Sequence, residues 1–293
     1  MLKLNLHAPS TTITKAADVL QQRRRTIQIL AFQELAEALQ NWALYLSASI
    51  AATTGALYVF NTTSFVANSG LLILRKPFLV PLSITVTVSL LYVITRATLA
   101  IARPREQGAL RVLFFAPVDV IGLLAAHLYS SVAIYTILIV MSVPLVYYQS
   151  LISNLPFPNA VLFSLFISPF FAALAVSMGL FISSTTSSSR NAIFFMGAAL
   201  LIALVIPMGY NALLSIPQTS RFYDATYFLR TLLGLIRDLL DWISPFSLTI
   251  GALDDALRQG WGDIIKKLLA GLTGTLAWMG FAVTSLQRRG VLS

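Results

Sequence analysis

Apolar residues in this chain are grouped into long blocks separated by short polar islands. Six blocks can be marked, at 42–60, 78–101, 121–146, 160–182, 192–210 and 264–286. Their lengths, roughly 18–25 residues, are what a helix needs to cross about 30 Å of hydrocarbon. Backbone N–H and C=O groups have no water to bond there, so each block is expected to be a helix. The predicted fold is therefore an all-α integral membrane protein with six transmembrane helices forming one unit over 26–293.

The polar segments predict further elements. A polar tail, 1–25, precedes "TIQILAFQELAEALQ" at 26–40, where Ile27, Ala31, Leu35 and Leu39 recur every four residues. Phe32 widens that stripe, and Glu34 and Glu37 lie off it. This predicts an amphipathic helix in the interface plane, with Arg23, Arg24 and Arg25 toward anionic headgroups. A helix packed on a soluble partner is the alternative. "SSTTSSSR", Ser183–Arg190, reads as a plain turn. The stretch 211–262 is too long for a simple loop. Within it Phe228, Leu232, Leu235, Ile236 and Leu239 keep helical spacing, with Arg230, Arg237 and Asp241 opposite. Ser244-Pro245-Phe246 breaks that helix. A second is expected over 248–258, with an Asp254–Arg258 pair, a stop at Gly260 and interfacial tryptophans at 242 and 261.

Composition agrees with the blocks. The chain is 57% hydrophobic and 11% charged, about half the charge of an average soluble domain. A net charge of +9 would suggest nucleic acid for a soluble protein. Here it reads as charge bias between two membrane faces, and no nucleic-acid partner is expected. With six spans the termini share a side, which holds 12 of the 20 Lys and Arg and 5 of the 11 acids. That excess places both termini in the cytoplasm and the chain in the cell (inner) membrane. The first 25 residues have no apolar core, so they do not read as a cleaved signal peptide.

Catalytic chemistry is sparse. There is no cysteine, which excludes disulfides, thiolate metal sites and a cysteine nucleophile. No phosphate loop of the form G-x-x-x-x-G-K-[ST] occurs, so ATP is not bound by that route. No enzyme activity, metal or cofactor is expected of the chain itself. Arg96, near the end of the second block, can snorkel to headgroups. His127 lies inside the third block with no ionisable relay apparent. It reads either as a hydrogen-bonded packing residue or as a substrate contact.

One island has more structure. "ARPREQGALRVLFFAPVD", 102–119, joins the second and third blocks. Pro104 suits a first helical turn. Ala109, Leu110, Leu113 and Phe114 form an apolar patch, and Glu106 projects onto the same face. That acid needs a partner, and nearby arginines are candidates. Pro117 ends the helix, and Asp119 is placed to cap the next.

The run Arg105-Glu106-Gln107-Gly108-Ala109-Leu110-Arg111-Val112-Leu113, followed by Pro117-Val118-Asp119, resembles the signature of the type 2 permeases of ATP-binding-cassette transporters, the type V exporter-like subunits. The interfacial helix, the six spans and the Ser-Pro-Phe within a helical outer insert are similar too, so the resemblance covers most of the chain after about Arg25. It implies a permease subunit, an exporter, that pairs with a second permease subunit and is driven by two separate ATPase subunits. Arg105, Glu106, Gly108, Leu110, Arg111, Leu113 and Pro117 would then form the cytoplasmic coupling helix. The chain departs from the family pattern at Ala109, where threonine is common, and at Arg111, where an acid is common. Ala126-His127 stands where glycine-lysine is frequent. Without the resemblance, a motor-independent channel or scaffold fits the same spans.

Overall fold

The computed structural model describes residues 10–69, 78–109, 119–153, 159–216 and 222–290. All regular structure among them is helical: α1 (Ser10–Gln40), α2 (Trp42–Ser69), α3 (Leu79–Leu99), α4 (Ala102–Glu106), α5 (Val120–Ser153), α6 (Asn159–Thr185), α7 (Ser189–Leu214), α8 (Phe222–Ala225), α9 (Tyr227–Ile243), α10 (Pro245–Leu257) and α11 (Trp261–Gly290). Six stretches are long and apolar enough to span a membrane: Trp42–Phe65, Leu79–Glu106, Val120–Ser153, Leu165–Thr185, Ser189–Leu214 and Trp261–Arg288. The molecule is read accordingly as a multi-pass membrane protein.

The helices outrun the apolar blocks. α5 continues to Ser153, and α1 begins at Ser10 rather than at residue 26. Hydropathy marks where water begins, whereas a helix propagates until a cap or breaker stops it.

The centre of the bundle is α3 against α6. Gly179 on α6 makes this approach possible, because a Cβ there would stand 2.9 Å from the Ile94 carbonyl oxygen and 3.0 Å from the Ala97 Cβ. Small residues let backbones meet where no hydrophobic force drives helices together. On its other side α6 packs against α11, with Phe171 over Gly271 and Leu174 over Gly274. Phe163 meets Trp261 at one end, rings 4.9 Å apart, and Phe181 meets Trp278 at the other, 5.0 Å apart. The two helices therefore run parallel, as spans separated by one return must. Several buried hydroxyls bond within their own helix, Thr98 to the Ile94 carbonyl at 2.7 Å and Ser177 to that of Leu174 at 2.8 Å.

α9 and α10 close the end of the bundle reached by α7. α9 is amphipathic along the positions its spacing predicts, and Phe228 and Leu235 are exposed. Its Gly234 lies on Tyr210 of α7, and the Arg237 guanidinium sits 5.1 Å from that ring. The Ser244 side chain accepts from the Ser247 N–H, and Pro245 opens α10 at the position where its missing N–H costs nothing. Asp254 and Arg258 pair at 2.8 Å.

The stop after α10 differs from the sequence expectation. The left-handed residue is Gln259, with φ 59°, not Gly260. Gly260 N–H donates to the Asp255 carbonyl at 2.8 Å and Gln259 N–H to that of Ala256 at 3.2 Å. This is a Schellman ending. It places Gly260 one residue beyond the position that needs φ > 0.

Candidate functional site

Two polar assemblies lie at the opposite end of the bundle from α9 and α10. The first is built on α4. The N–H groups of Ile101 and Ala102 both donate to Ser183 Oγ, at 3.0 and 2.9 Å. These are first-turn donors with no partner inside a helix, and a fully buried serine near the end of α6 satisfies them. The Arg105 guanidinium donates to the carbonyl oxygens of Ser184 at 3.1 Å and Thr186 at 2.7 Å. A cation at a helix C-terminus meets the negative end of the macrodipole. Glu106 Oε2 accepts from the backbone N–H of Ser189 at 3.0 Å, so an anion meets the positive end of α7.

The α4 segment is thus pinned to the ends of two spans. Ser183–Arg190 is not the plain turn its composition suggests. α6 runs through Thr185, α7 starts at Ser189, and the residues around the join anchor α4. Glu106 finds a helix N-terminus rather than an arginine, because α7 begins within reach of its short helix. Gly108 follows in the left-handed region, φ 74°, with open space where a Cβ would be. At the end of the island, Asp119 Oδ1 accepts from Gly122 N–H at 3.0 Å and caps α5. Leu110, Arg111, Leu113 and Pro117 lie outside the described residues.

The second assembly was hidden from sequence reasoning. Glu34 Oε1 of α1 lies 2.5 Å from Nδ1 of His127 on α5. Its other oxygen accepts from Ser130 Oγ at 2.6 Å. Arg96 of α3 donates to the Glu34 backbone carbonyl at 2.7 Å. Burial works against the charged form of Glu34, but the His127 bond and charge, Ser130 and the Arg96 charge outweigh it. Its carboxyl is held below the ordinary carboxylate range.

This revises two sequence expectations. Glu34 is not on a free polar face, since α1 packs its 34 and 38 positions against the bundle and buries Ala38 completely. The spacing of Ala31, Glu34 and Ala38, i, i+3 and i+7 on one side, was the available signal. His127, expected to stand without ionisable company, has Glu34 as its partner and Arg96 bound to the same residue of α1. It is a hydrogen-bonded residue joining two helices. A cavity of about 870 Å³ opens beside it, lined from α1, α2, α3, α4 and α5.

No protein-family model matches the chain. A search of curated proteins likewise finds no match.

Proposed function

We propose that the chain is the permease subunit of an ATP-binding-cassette transporter, an exporter that works as a pair of permease subunits with two separate ATPase subunits. The observation that carries this reading is the rooting of α4. One short polar helix follows α3 and is bonded to the end of α6 through Ser183, Ser184 and Thr186, and to the start of α7 through Ser189. Force applied to the exposed Gln107–Ala109 surface beyond it would reach three spans at once. That is the mechanical requirement for converting motion of a cytoplasmic motor into rearrangement of a pathway. Coupling through packed helices needs a rigid lever, and bonds to the two backbone ends make α4 one. The Glu34–His127 contact does the same for α1, which would move with α5.

The test has two parts. Affinity purification of the tagged chain from its native membranes should bring down a subunit that carries a phosphate loop, identified by mass spectrometry. In that complex Glu106→Gln keeps the side-chain shape and removes the charge at the start of α7. ATPase stimulation by the permease should fall severalfold at unchanged expression and membrane insertion. Purification without any ATPase subunit favours a motor-independent channel or scaffold. Undiminished stimulation by Glu106→Gln removes α4 from the coupling path.

A further inference from the structure

The cavity beside Glu34 and His127 has the layout of an amphiphile. Its wall toward the middle of the spans is apolar, formed by Val88, Leu91 and Tyr92 of α3 and by Leu46 and Ile50 of α2. Its other end is polar, with Arg96, Arg103, Glu37 and Asn41. Along α3 the change from Val88 to Arg96 takes about 12 Å at the helical rise. The gradient therefore runs along a membrane-crossing helix, from the bilayer interior toward the face on which α1 lies. A lipid molecule in that leaflet has the same polarity in the same direction.

The charges favour a phosphate. Glu34 is committed to His127 and Ser130. Arg96 gives a bond to the Glu34 backbone carbonyl, one of the five a guanidinium can donate. Arg103 follows seven residues later, two turns on, and its side chain has no partner among the described residues. Two forked donors lining one cavity are suited to the oxygens of a phosphate diester. Glu37 and Asn41 at the rim supply acceptors for a headgroup hydroxyl or amine. A free phosphate would leave the apolar wall uncovered, and a neutral lipid would leave Arg96 and Arg103 unused.

We propose that this cavity holds one phospholipid from the leaflet against which α1 lies, its phosphate on Arg96 and Arg103 and its acyl chains along Leu91, Val88 and Ile50. The lipid would wedge α1 to α2 and α3 on the side that the Glu34–His127 contact leaves open. The inference rests on the membrane placement of the spans and not on coupling to an ATPase, and its test contains no ATPase.

The full chain, purified in detergent and stripped of lipid, is titrated with phosphatidylglycerol, with diacylglycerol of the same chains, or with inorganic phosphate, and bound adducts are read by native mass spectrometry. Phosphatidylglycerol should bind best, and Arg103→Gln should weaken it about tenfold, as expected for one charge-assisted bond. Arg96→Gln/Arg103→Gln should weaken it further. Leu91→Trp, which fills the apolar end and leaves both arginines, should also reduce binding. Lys266→Gln, exposed at the far end of the bundle, should bind like the parent. The Arg103 side chain has no bond to hold within the described residues, so its variant tests the site even if Arg96→Gln unfolds. Equal binding by Arg103→Gln and the parent would overturn the proposal, as would diacylglycerol binding as tightly as phosphatidylglycerol. Phosphate alone displacing the lipid from the parent at matched concentration would make this an ion site and overturn it too.

Discussion

At Gln259 a side chain occupies a backbone conformation that suits glycine. The left-handed region costs a residue with a Cβ about 1–2 kcal/mol, while glycine there gives up about 0.5–1 kcal/mol through its greater freedom in the unfolded chain. Gln259→Gly should therefore stabilise the protein by about 0.5–1 kcal/mol, seen as a higher midpoint of thermal unfolding in detergent. The neighbouring Gly260→Ala should be close to neutral, since its Cβ would stand an ordinary 3.6 Å from the Asp255 carbonyl. A lower midpoint for Gln259→Gly, or a large loss for Gly260→Ala, would contradict this account of the helix stop. The residue pair also shows what a sequence conceals. "RQGW" advertises its glycine, but which residue turns left-handed depends on where α10 lets go, and that is set by packing. Glu34 and His127 were less legible still. They are far apart in the chain, His127 stood out only as a lone ionisable residue and Glu34 as a polar-face residue, and only the docking of α1 along α5 brings them together. Asp254–Arg258 was legible because an i,i+4 pair needs no tertiary information.

Among the elements, the six apolar blocks were readable because bilayer thickness imposes their length, whatever the side chains are. How the spans pack was not readable, since spacing in glycines and serines carries little signal until a neighbour is known. Gly179 and Gly197 make the contrast. Both lie inside apolar helices. Gly179 faces the α3 backbone, and Gly197 has nothing within 4 Å of its Cβ position. Gly179→Ala should force α3 and α6 apart and cost about 1–3 kcal/mol, as overpacking does. Gly197→Ala should be neutral or gain about 0.5–1 kcal/mol from helix propensity. Thermal unfolding of the two variants in the same detergent ranks them, and equal midpoints would mean that Gly179 is not the close-approach point. The segment proposed to couple to a motor is divided in the same way. Arg105 and Glu106 are bonded to the chain's own helix ends, and Gly108 takes a positive φ, which explains these residue types without a partner. The coupling role rests on what lies beyond them.

For the molecule as a whole, the two ends of the bundle have different characters. One carries α1, α4, the Ser183–Ser189 junction and the Glu34–His127 contact. The other carries α9, α10 and their ion pairs, including Lys267 with Asp255 at 2.5 Å. Basic residues are in excess at the first end, and the charge rule for membrane proteins predicts that this end faces the cytoplasm. The chain has no cysteine, so single cysteines report sides without background. Ser187, exposed at the α6–α7 junction, and Gln259, exposed after α10, sit at opposite ends of the bundle. In intact cells a membrane-impermeant maleimide should label Gln259→Cys, and should label Ser187→Cys only after permeabilisation. Both sites should label equally in detergent, which controls for reactivity. Labelling of Ser187→Cys alone in intact cells would turn the molecule over, put α4 outside the cell where no ATP-driven motor could reach it, and end the permease reading. The lipid site would survive such a result, because it depends only on the leaflet beside α1. The two proposals therefore stand or fall on separate measurements.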